Sequence, residues 1–453
     1  MSSTELAALV CCDLGAIVRG RSVPSDTLSG DGGSSVGWVP ANLALTPIGT
    51  LAEPNPFGST GDLRLKPDFD AHVRVELGYE EIGVGDGFER IGGRERSPLE
   101  LVLCDIVETD GSAWECCPRS FLRAALSELE ATLGLQTVAS FEHEFQLLLD
   151  APPALAFSLE AQRRAEPFPS LVFDALRRAG VAPERFMPEY ASHQFEIPVE
   201  PAAGLAAADR AVVLREVVRE VARALGTRAS FSPLLDPSEA GNGVHIHLSL
   251  LDADGYNPLY DAARPAGLSE LGARFAAGVL EHAAALSALT APSPVSAARL
   301  RPHRWSAGAV CLAQQNREAL LRVPPLVTSA GAGAPATQLR LEYRGADASA
   351  NPYLALGAIV RAGLDGVRRE LPAPALLDRD PALLGEVDAA RFGVGALPAS
   401  LAASLDALAF NETAREWLSP LLYEAYVAVK RAELDAAGGV ELDKLCKRYA
   451  AIY

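Results

Sequence analysis

The sequence predicts an α+β protein with two domains, a small β-rich domain followed by a larger mixed one. The chain has 453 residues, more than a single ordinary hydrophobic core supports. Residues 1–96 contain short apolar runs separated by stretches rich in glycine and serine, a pattern typical of strands and turns. From residue 97 onward, segments with helical periodicity alternate with apolar strands that carry ionisable side chains. We therefore place the domain boundary between residues 96 and 97.

The β-rich part begins with VCCDLGAIVRGRSVP, residues 10–24, which predicts a strand, a turn and a second strand. Two further short strands are expected at 62–68 and 72–76, and loops at 29–39 and 82–93.

The second part opens with an apolar strand at 99–108, LELVLCDIVE, and a helix at 118–132. Pro118 suits the first turn of that helix, and Gly134 ends it. Further helices are predicted over 160–181, 206–225, 268–289, 350–371 and 405–445, and arginine-bearing strands over 309–324 and 337–345.

Composition excludes several classes of protein. A net charge of −18 argues against nucleic acid as the main partner. No apolar run approaches the roughly 18 residues of a membrane span, so no membrane partner is expected. Residues 1–10 contain no basic residue before their apolar part, which argues against a signal peptide. The seven cysteines include two adjacent pairs and no CxxC motif, which favours a reducing cytoplasm over a disulfide framework.

The first segment with candidate functional side chains is GNGVHIHLSL, residues 241–250. On a strand, His245 and His247 point to one face while the apolar residues between and beside them pack behind. Taken alone, this pair fits a partly buried strand edge with satisfied histidines as readily as a binding site.

The same spacing of two residues recurs on two other predicted strands. Glu142 and Glu144 lie in SFEHEFQLLL, and Arg340, Glu342 and Arg344 lie in QLRLEYRG. Ionisable groups on one face of three strands would be costly in a core, because unpaired buried charges are expensive. Divalent cations and an anionic substrate would neutralise them, so the pattern predicts a metal and phosphate site.

Six motifs, in this order, resemble those of the glutamine synthetase family, the ATP-dependent glutamate–ammonia ligases and their γ-glutamyl-amine ligase relatives. They are FEHEF, MPEYASHQFEI, GNGVHIHLSL, ARLRPHRW, QQNREALLRVP and LRLEYRGADASANPYL. The resemblance implies an N-terminal β-grasp domain and a catalytic domain with a curved antiparallel sheet and surrounding helices. It also implies a homo-oligomer, a hexameric ring or a dodecamer, with active sites between subunits.

The resemblance further implies two divalent metals, Mg²⁺ or Mn²⁺, in each active site. One site would use Glu144, Glu189 and Glu196, and the other Glu142, His245 and Glu342. Carboxylates suit hard cations, and one imidazole suits the second site. ATP would phosphorylate the γ-carboxylate of glutamate, and a nitrogen nucleophile would then displace phosphate.

Other residues are assigned by position in the same motifs. Arg299 and Gly241 are expected at the glutamate, and Arg344 at the transferred phosphoryl group or the glutamate γ-carboxyl. The residues expected at ATP are Arg317, Arg322, Arg340, His247 and Ser249. An isolated arginine is more often a solvated surface residue, and Ser249 is equally well explained as a plain strand serine.

Three departures from the family concern the nitrogen acceptor. Trp305 stands where ammonia-using members carry a glutamate, and Leu234 stands where they carry a lysine. Gly32 stands where they carry a loop aspartate, and Asp31 lies one residue further off. An aromatic side chain suits an alkylamine better than ammonium. The sequence therefore predicts a γ-glutamyl-amine ligase, with Trp305 at the acceptor. An ordinary glutamine synthetase, a non-catalytic family member and a guanidino kinase remain as alternatives.

Overall fold

The computed structural model describes residues 4–28, 35–77 and 97–453. Asp31, Gly32 and the loop predicted at 82–93 lie outside the described residues. Within the described chain, no helix combines the length and the apolar character needed to cross a bilayer.

A five-stranded sheet forms the N-terminal part, in the order β2-β1-β5-β4-β3. Its strands are β1 (Leu6–Cys12), β2 (Val18–Pro24), β3 (Val36–Trp38), β4 (Leu63–Val75) and β5 (Leu99–Glu108). The predicted strand–turn–strand is present, and the turn is closed by Asp13, whose Oδ1 accepts hydrogen bonds from the backbone N–H groups of Gly15 (2.9 Å) and Ile17 (2.8 Å). β5 pairs parallel with β1 and antiparallel with β4, so the sheet extends beyond the predicted boundary between residues 96 and 97.

Two local predictions in this part are wrong. The strands expected at 62–68 and 72–76 are one strand, β4, whose register against β5 shifts between Pro67 and His72. Such an irregularity lets one strand continue through residues 68–71, which the sequence analysis left outside both predicted strands. Part of the expected 29–39 loop is the strand β3, because it pairs with β4.

A ten-stranded sheet carries the second part, with β15-β12-β13-β14-β11-β6-β8-β7 along its main path and β9 and β10 paired to β6. The strands are β6 (Gln136–Leu147), β7 (Met187–Pro188), β8 (Gln194–Ile197), β9 (Ala202–Ala203), β10 (Ala229–Ser230), β11 (Val244–Leu251), β12 (Ala309–Gln314), β13 (Ala319–Val323), β14 (Leu341–Ala346) and β15 (Leu376–Leu377). The central strands are antiparallel, as expected, but β12 pairs parallel with both β13 and β15. The sheet is therefore mixed, and the α+β class is confirmed.

Helices surround this sheet. They are α1 (Pro118–Leu133), α2 (Leu159–Arg164), α3 (Phe168–Arg178), α4 (Gly204–Ala224), α5 (Glu270–Glu281), α6 (Ala283–Thr290), α7 (Ser296–Arg299), α8 (Pro335–Gln338), α9 (Pro352–Arg368), α10 (Glu386–Arg391), α11 (Leu401–Phe410), α12 (Glu412–Glu416), α13 (Pro420–Ala437) and α14 (Leu442–Ala450). The single helix expected at 160–181 is two helices, because Pro167 lacks the N–H group that a continuous helix needs. The 268–289 helix is also divided, at His282, where ψ is 8°.

The two sheets are joined by a buried cluster of charges around Arg119 of α1. Its guanidinium contacts Asp68 of β4 at 2.7 Å, Asp105 of β5 at 3.1 Å and Asp209 of α4 at 2.8 Å. Because these carboxylates come from β4, β5 and α4, the shared guanidinium fixes the N-terminal sheet against the second part of the chain. All seven cysteines are buried and none forms a disulfide, as the sequence predicts.

Candidate active site

The antiparallel register of β6, β11 and β14 brings the predicted site together. His245 on β11 lies opposite Glu142 on β6, and His247 lies opposite Glu342 on β14. His245 Nδ1 is 2.8 Å from a carboxylate oxygen of Glu142. Possible ligand atoms of Glu142, His245 and Glu342 lie within 4.8 Å of one another, so one predicted metal group is preassembled.

A second group of possible ligands lies beside the first. Glu196 on β8 is opposite Glu144 on β6, and their carboxylates come within 4.8 Å of each other and of His245. Glu189, which the sequence assigns to this group, lies outside that radius. Its carboxylate is still close enough to interact electrostatically with Glu144 and Glu142.

The carboxylates on this side of the site repel one another. Burial raises the pKa of Glu189 to about 8, and Glu144 and Glu142 act in the same direction. Burial raises the pKa of Glu196 well above its ordinary value, with Glu142, Glu144 and Glu189 adding to the effect. Clustered carboxylate oxygens with one imidazole fit a hard divalent cation, which would remove this repulsion.

The opposite side of the site is rich in cationic and imidazole groups. Burial disfavours the charge on Glu342, but Arg344, His247, His245 and Arg322 together lower its pKa to about 2. Burial likewise disfavours the charge on Glu142, yet the hydrogen bond with His245 and the imidazole of His247, 3.6 Å away, hold its pKa well below the ordinary value. The site is thus polarised, with under-compensated carboxylates on one side and cations on the other.

Two arginines hold Glu342 from either side. Arg322 Nη1 donates to one carboxylate oxygen at 2.7 Å, and Arg344 Nη1 makes an ion pair with the other. Arg344 also donates to the backbone carbonyls of Arg317 and Trp305, both at 3.0 Å. This buried guanidinium therefore ties β14 to two loops at the edge of the site.

The other two arginines expected at ATP do not lie within strands. Arg340 precedes β14, and its Nε donates to His247 Nδ1 at 3.1 Å. Arg317 lies in the turn between β12 and β13, where it lines an open cavity of about 550 Å³. The sequence analysis placed both within predicted strands, 309–324 and 337–345, whose boundaries were drawn too widely.

A second cavity, of about 470 Å³, lies along the same face of the sheet. It is lined by Glu142, His247, Ser249 and Arg340 among others, so it collects three of the residues expected at ATP. His247 Nε2 is buried and has no hydrogen-bond partner in the described part of the chain. Ser249 Oγ donates to the backbone carbonyl of Leu339 at 2.7 Å, which fits a structural serine as well as a ligand contact.

Arg299, at the end of α7, is buried under the loop that precedes β11. Its Nη2 donates to the carbonyls of Gly345 at 3.1 Å and Ala346 at 2.8 Å. Gly241 is required here, because a Cβ atom would lie 2.2 Å from the carbonyl of Pro233 and 2.7 Å from Arg299 Cγ. The pair is brought together as expected, but its role toward glutamate stays a prediction.

Trp305 lies in the loop between α7 and β12 and is 54% exposed. Its ring centroid is 5.6 Å from that of Tyr190 and 5.8 Å from that of Phe157, neither of which the sequence analysis singled out. Tyr190 carried one signal, since it directly follows Glu189. Phe157 carried none, because nothing in the sequence links residue 157 to residue 305.

Carboxylates, histidines and arginines on one face of a mixed sheet, beside a nucleotide-sized cavity, define a class of protein that handles phosphate and divalent metals. Comparison with known families makes the class specific. The glutamine synthetase N-terminal domain matches residues 1–114, and the glutamine synthetase catalytic domain matches residues 115–443. The chain belongs to the glutamine synthetase family of ligases, whose members use ATP and divalent metals.

Individual relatives cover three quarters or more of the chain. A γ-glutamylpolyamine synthetase from Streptomyces coelicolor is 32% identical over 97% of this chain and 92% of its own length. A glutamine synthetase from Methanocaldococcus jannaschii is 32% identical over 75% of this chain and 76% of its own. A crystal structure described as a novel glutamine synthase homolog superposes with a TM-score of 0.89 at 45% identity, covering 100% of this chain and 99% of the other.

Proposed function

We propose that this protein is an ATP-dependent ligase that joins the γ-carboxyl group of glutamate to a small amine. The observation that carries the proposal is the position of Trp305 at the edge of the site. Its indole is half exposed, and its backbone carbonyl accepts a hydrogen bond from Arg344. It stands where the family resemblance places an acceptor-site glutamate in ammonia-using members.

The phosphorylation half of the reaction is supported by the polarised site. Glu144, Glu189 and Glu196 would hold one Mg²⁺ or Mn²⁺ ion, and Glu142, His245 and Glu342 a second. The bound ions would neutralise charge on the phosphate oxygens as the γ-carboxylate attacks. Arg322, Arg340 and Arg317 would neutralise the remaining charge of ATP, while Arg344 would face the transferred phosphoryl group.

The second half of the reaction is where the acceptor matters. The alkylammonium first gives a proton to solvent, and the neutral nitrogen attacks the γ-carbon of the acyl phosphate. The carbon–oxygen bond to phosphate breaks, the nitrogen loses a second proton to the departing phosphate, and the amide and hydrogen phosphate are released. A pocket for ammonium needs negative charge around a small hydrated cation. An indole provides instead an apolar face, which packs on carbon and attracts an alkylammonium group.

Two alternatives come from different readings of the same features. An ordinary glutamine synthetase is supported by the name of the Methanocaldococcus jannaschii relative. A non-catalytic family member would have no physical reason to keep groups of carboxylates and a histidine whose possible ligand atoms lie within 4.8 Å of one another.

The family resemblance also supports a ring oligomer in the cytoplasm, a hexamer or a dodecamer, with active sites between subunits. Light scattering of the active enzyme tests this.

A screen of acceptors distinguishes these possibilities. Phosphate release is measured with glutamate, ATP and Mg²⁺, adding ammonia, ethanolamine, putrescine, spermidine or a monoamine in turn. The proposal expects acceptor-dependent phosphate release with at least one amine and little with ammonia. Ammonia as the best acceptor would establish an ordinary glutamine synthetase, and no release with any acceptor would favour a non-catalytic protein.

A further inference from the structure

The turn that begins at Glu189 is closed by a buried glutamine, Gln194, at the start of β8. Gln194 is 3% exposed. Its backbone carbonyl accepts a hydrogen bond from the N–H group of Glu189 at 2.8 Å, and its side-chain Oε1 accepts one from the N–H group of Ala191 at 2.8 Å. Because a backbone N–H can only donate, this second bond determines which end of the amide is the oxygen and which is the NH₂ group.

The NH₂ group of Gln194 reaches two other parts of the site. Its nitrogen lies 3.3 Å from Glu144 Oε2, 3.0 Å from the carbonyl oxygen of Gly241 and 3.0 Å from Asn242 Oδ1. Two N–H donors are thus shared among three acceptors, one on β6 and two on the loop before β11. A single buried side chain therefore joins a predicted metal ligand to the glycine expected at glutamate.

The two carboxylate oxygens of Glu144 have different surroundings. Oε2 accepts hydrogen bonds from the backbone N–H group of Gly243 at 2.8 Å and from Gln194. Oε1 lies 3.8 Å from His245 Nε2, a member of the same group of possible metal ligands. Donors on one oxygen fix the orientation of a carboxylate and leave the other oxygen for a cation. The contacts with Gln194 and Gly243 therefore orient Glu144 in advance of metal binding.

We propose that Gln194 is a positioning residue, which couples the metal group at Glu144 to the loop at 241–243. Through Glu144 Oε2 it directs Oε1 at the cation, and through the carbonyl of Gly241 it holds the loop that covers Arg299. The nucleotide-sized cavity is lined by Glu142 instead, so Gln194 acts on metal and glutamate but not on ATP. This inference rests on the proposed function, because the metal and the glutamate belong to that reaction.

The test is Gln194→Met, which keeps the length of the side chain and removes the amide. Mn²⁺ binding, followed by electron paramagnetic resonance without nucleotide or glutamate, should weaken about tenfold or more at one of two sites. Glutamate binding, measured by calorimetry in the presence of Mg²⁺, should weaken at least about threefold, because the loop loses a hydrogen bond. The affinity for a non-hydrolysable ATP analogue should stay as in the wild type.

Gln146→Met is the matched control. Gln146 is 5% exposed, lies opposite Gln194 in the pairing of β6 with β8, and donates to the carbonyl of Ser192 at 2.8 Å. Among the described residues it has no hydrogen bond to Glu144 or to the 241–243 loop. This variant also loses a buried amide, yet it should keep the wild-type affinities for Mn²⁺ and glutamate. Equal losses in the two variants would assign the effect to packing and overturn the proposal.

A crystal structure of the wild-type enzyme with Mn²⁺ tests the geometry even if Gln194→Met fails to fold. The expected structure has Mn²⁺ on Glu144 Oε1, with Oε2 still bonded to Gln194 and Gly243. A cation held through Oε2, or wild-type Mn²⁺ affinity in Gln194→Met, would overturn the positioning role. Because none of these measurements needs a nitrogen acceptor, an enzyme that makes no amide with any amine overturns the proposed function alone.

Discussion

The two ends of the site differ in almost every physical property. At the phosphate end, Glu342 and Arg344 are 1% and 2% exposed, lie on a strand and form an ion pair. At the proposed acceptor end, the aromatic side chains of Trp305, Tyr190 and Phe157 are uncharged, lie on loops and are each about half exposed to solvent. Under the proposed function, this difference would allow the phosphoryl chemistry of the family to be kept while the acceptor changes. A charge at the first end is fixed by several partners, whereas a ring at the second can be replaced without unpairing a buried charge.

The largest effect is expected at the phosphate end. Glu342→Ala and Glu144→Ala should each lower ATP-dependent activity by more than about a hundredfold, since each removes a predicted ligand and Glu342→Ala also leaves two buried arginines under-compensated. Initial rates of phosphate release measure the loss. Glu386→Ala, at an exposed residue of α10, is the matched control. Activity within a few-fold of wild type in both variants would contradict the metal assignment.

The acceptor end should respond to substitution in a different way. Trp305→Glu is expected to lower kcat/KM for the preferred amine at least about tenfold, because apolar contact and cation–π attraction are lost together. Ammonia use should increase only if Asp31 supplies a second negative charge. Relative kcat/KM for the amine and for ammonia is the measurement. An unchanged ratio would remove Trp305 from acceptor selection.

The polarity of the phosphate end also predicts how metal binding depends on pH. Because the pKa of Glu189 is raised to about 8, this carboxyl group keeps its proton in the metal-free protein at neutral pH. A cation must displace that proton, so affinity should rise up to about tenfold per pH unit below pH 8 and level off above it. Mn²⁺ titrations followed by electron paramagnetic resonance, without nucleotide, measure the effect directly. Equal affinity at pH 6.5 and pH 8.5 would show that no protonated carboxyl group competes with the metal.

A smaller effect is expected from Glu318, which holds the backbone of the Trp305 loop through hydrogen bonds. Glu318→Gln replaces one of the two oxygens that hold the 300–308 loop with an amide nitrogen, which cannot accept a hydrogen bond. We expect kcat/KM for the amine to fall about threefold to fivefold with little change in KM for ATP. A parallel change in KM for ATP would instead indicate a general disturbance of the site.

The same contrast explains what could be predicted from the sequence. Alternation along the strands predicts that Glu142, His245 and Glu342 each belong to a face of ionisable groups, and the family resemblance implies that the three meet. Glu189 was assigned to a group that its carboxylate does not join within 4.8 Å, since it lies after a two-residue strand with no periodicity to orient it.

Contacts between loops that are distant along the chain could not be predicted from the sequence. Phe157 meets Trp305 across almost 150 positions of the chain, and no local pattern encodes that contact. The apolar run of β5 was recognised as a strand, but its pairing with β1 depends on the tertiary fold. Single helices were wrongly predicted through Pro167 and His282, because the helical spacing of apolar residues continues through both breaks.

The central claim is that the phosphoryl chemistry of the family is retained while the acceptor is an amine. The most direct test is a competition, in which the enzyme receives glutamate, ATP, Mg²⁺ and equal concentrations of ammonia and the best amine from the screen. Mass spectrometry then measures the γ-glutamyl amide and glutamine formed in the same reaction. We predict that the amide exceeds glutamine by more than about tenfold. Glutamine as the main product would contradict the account.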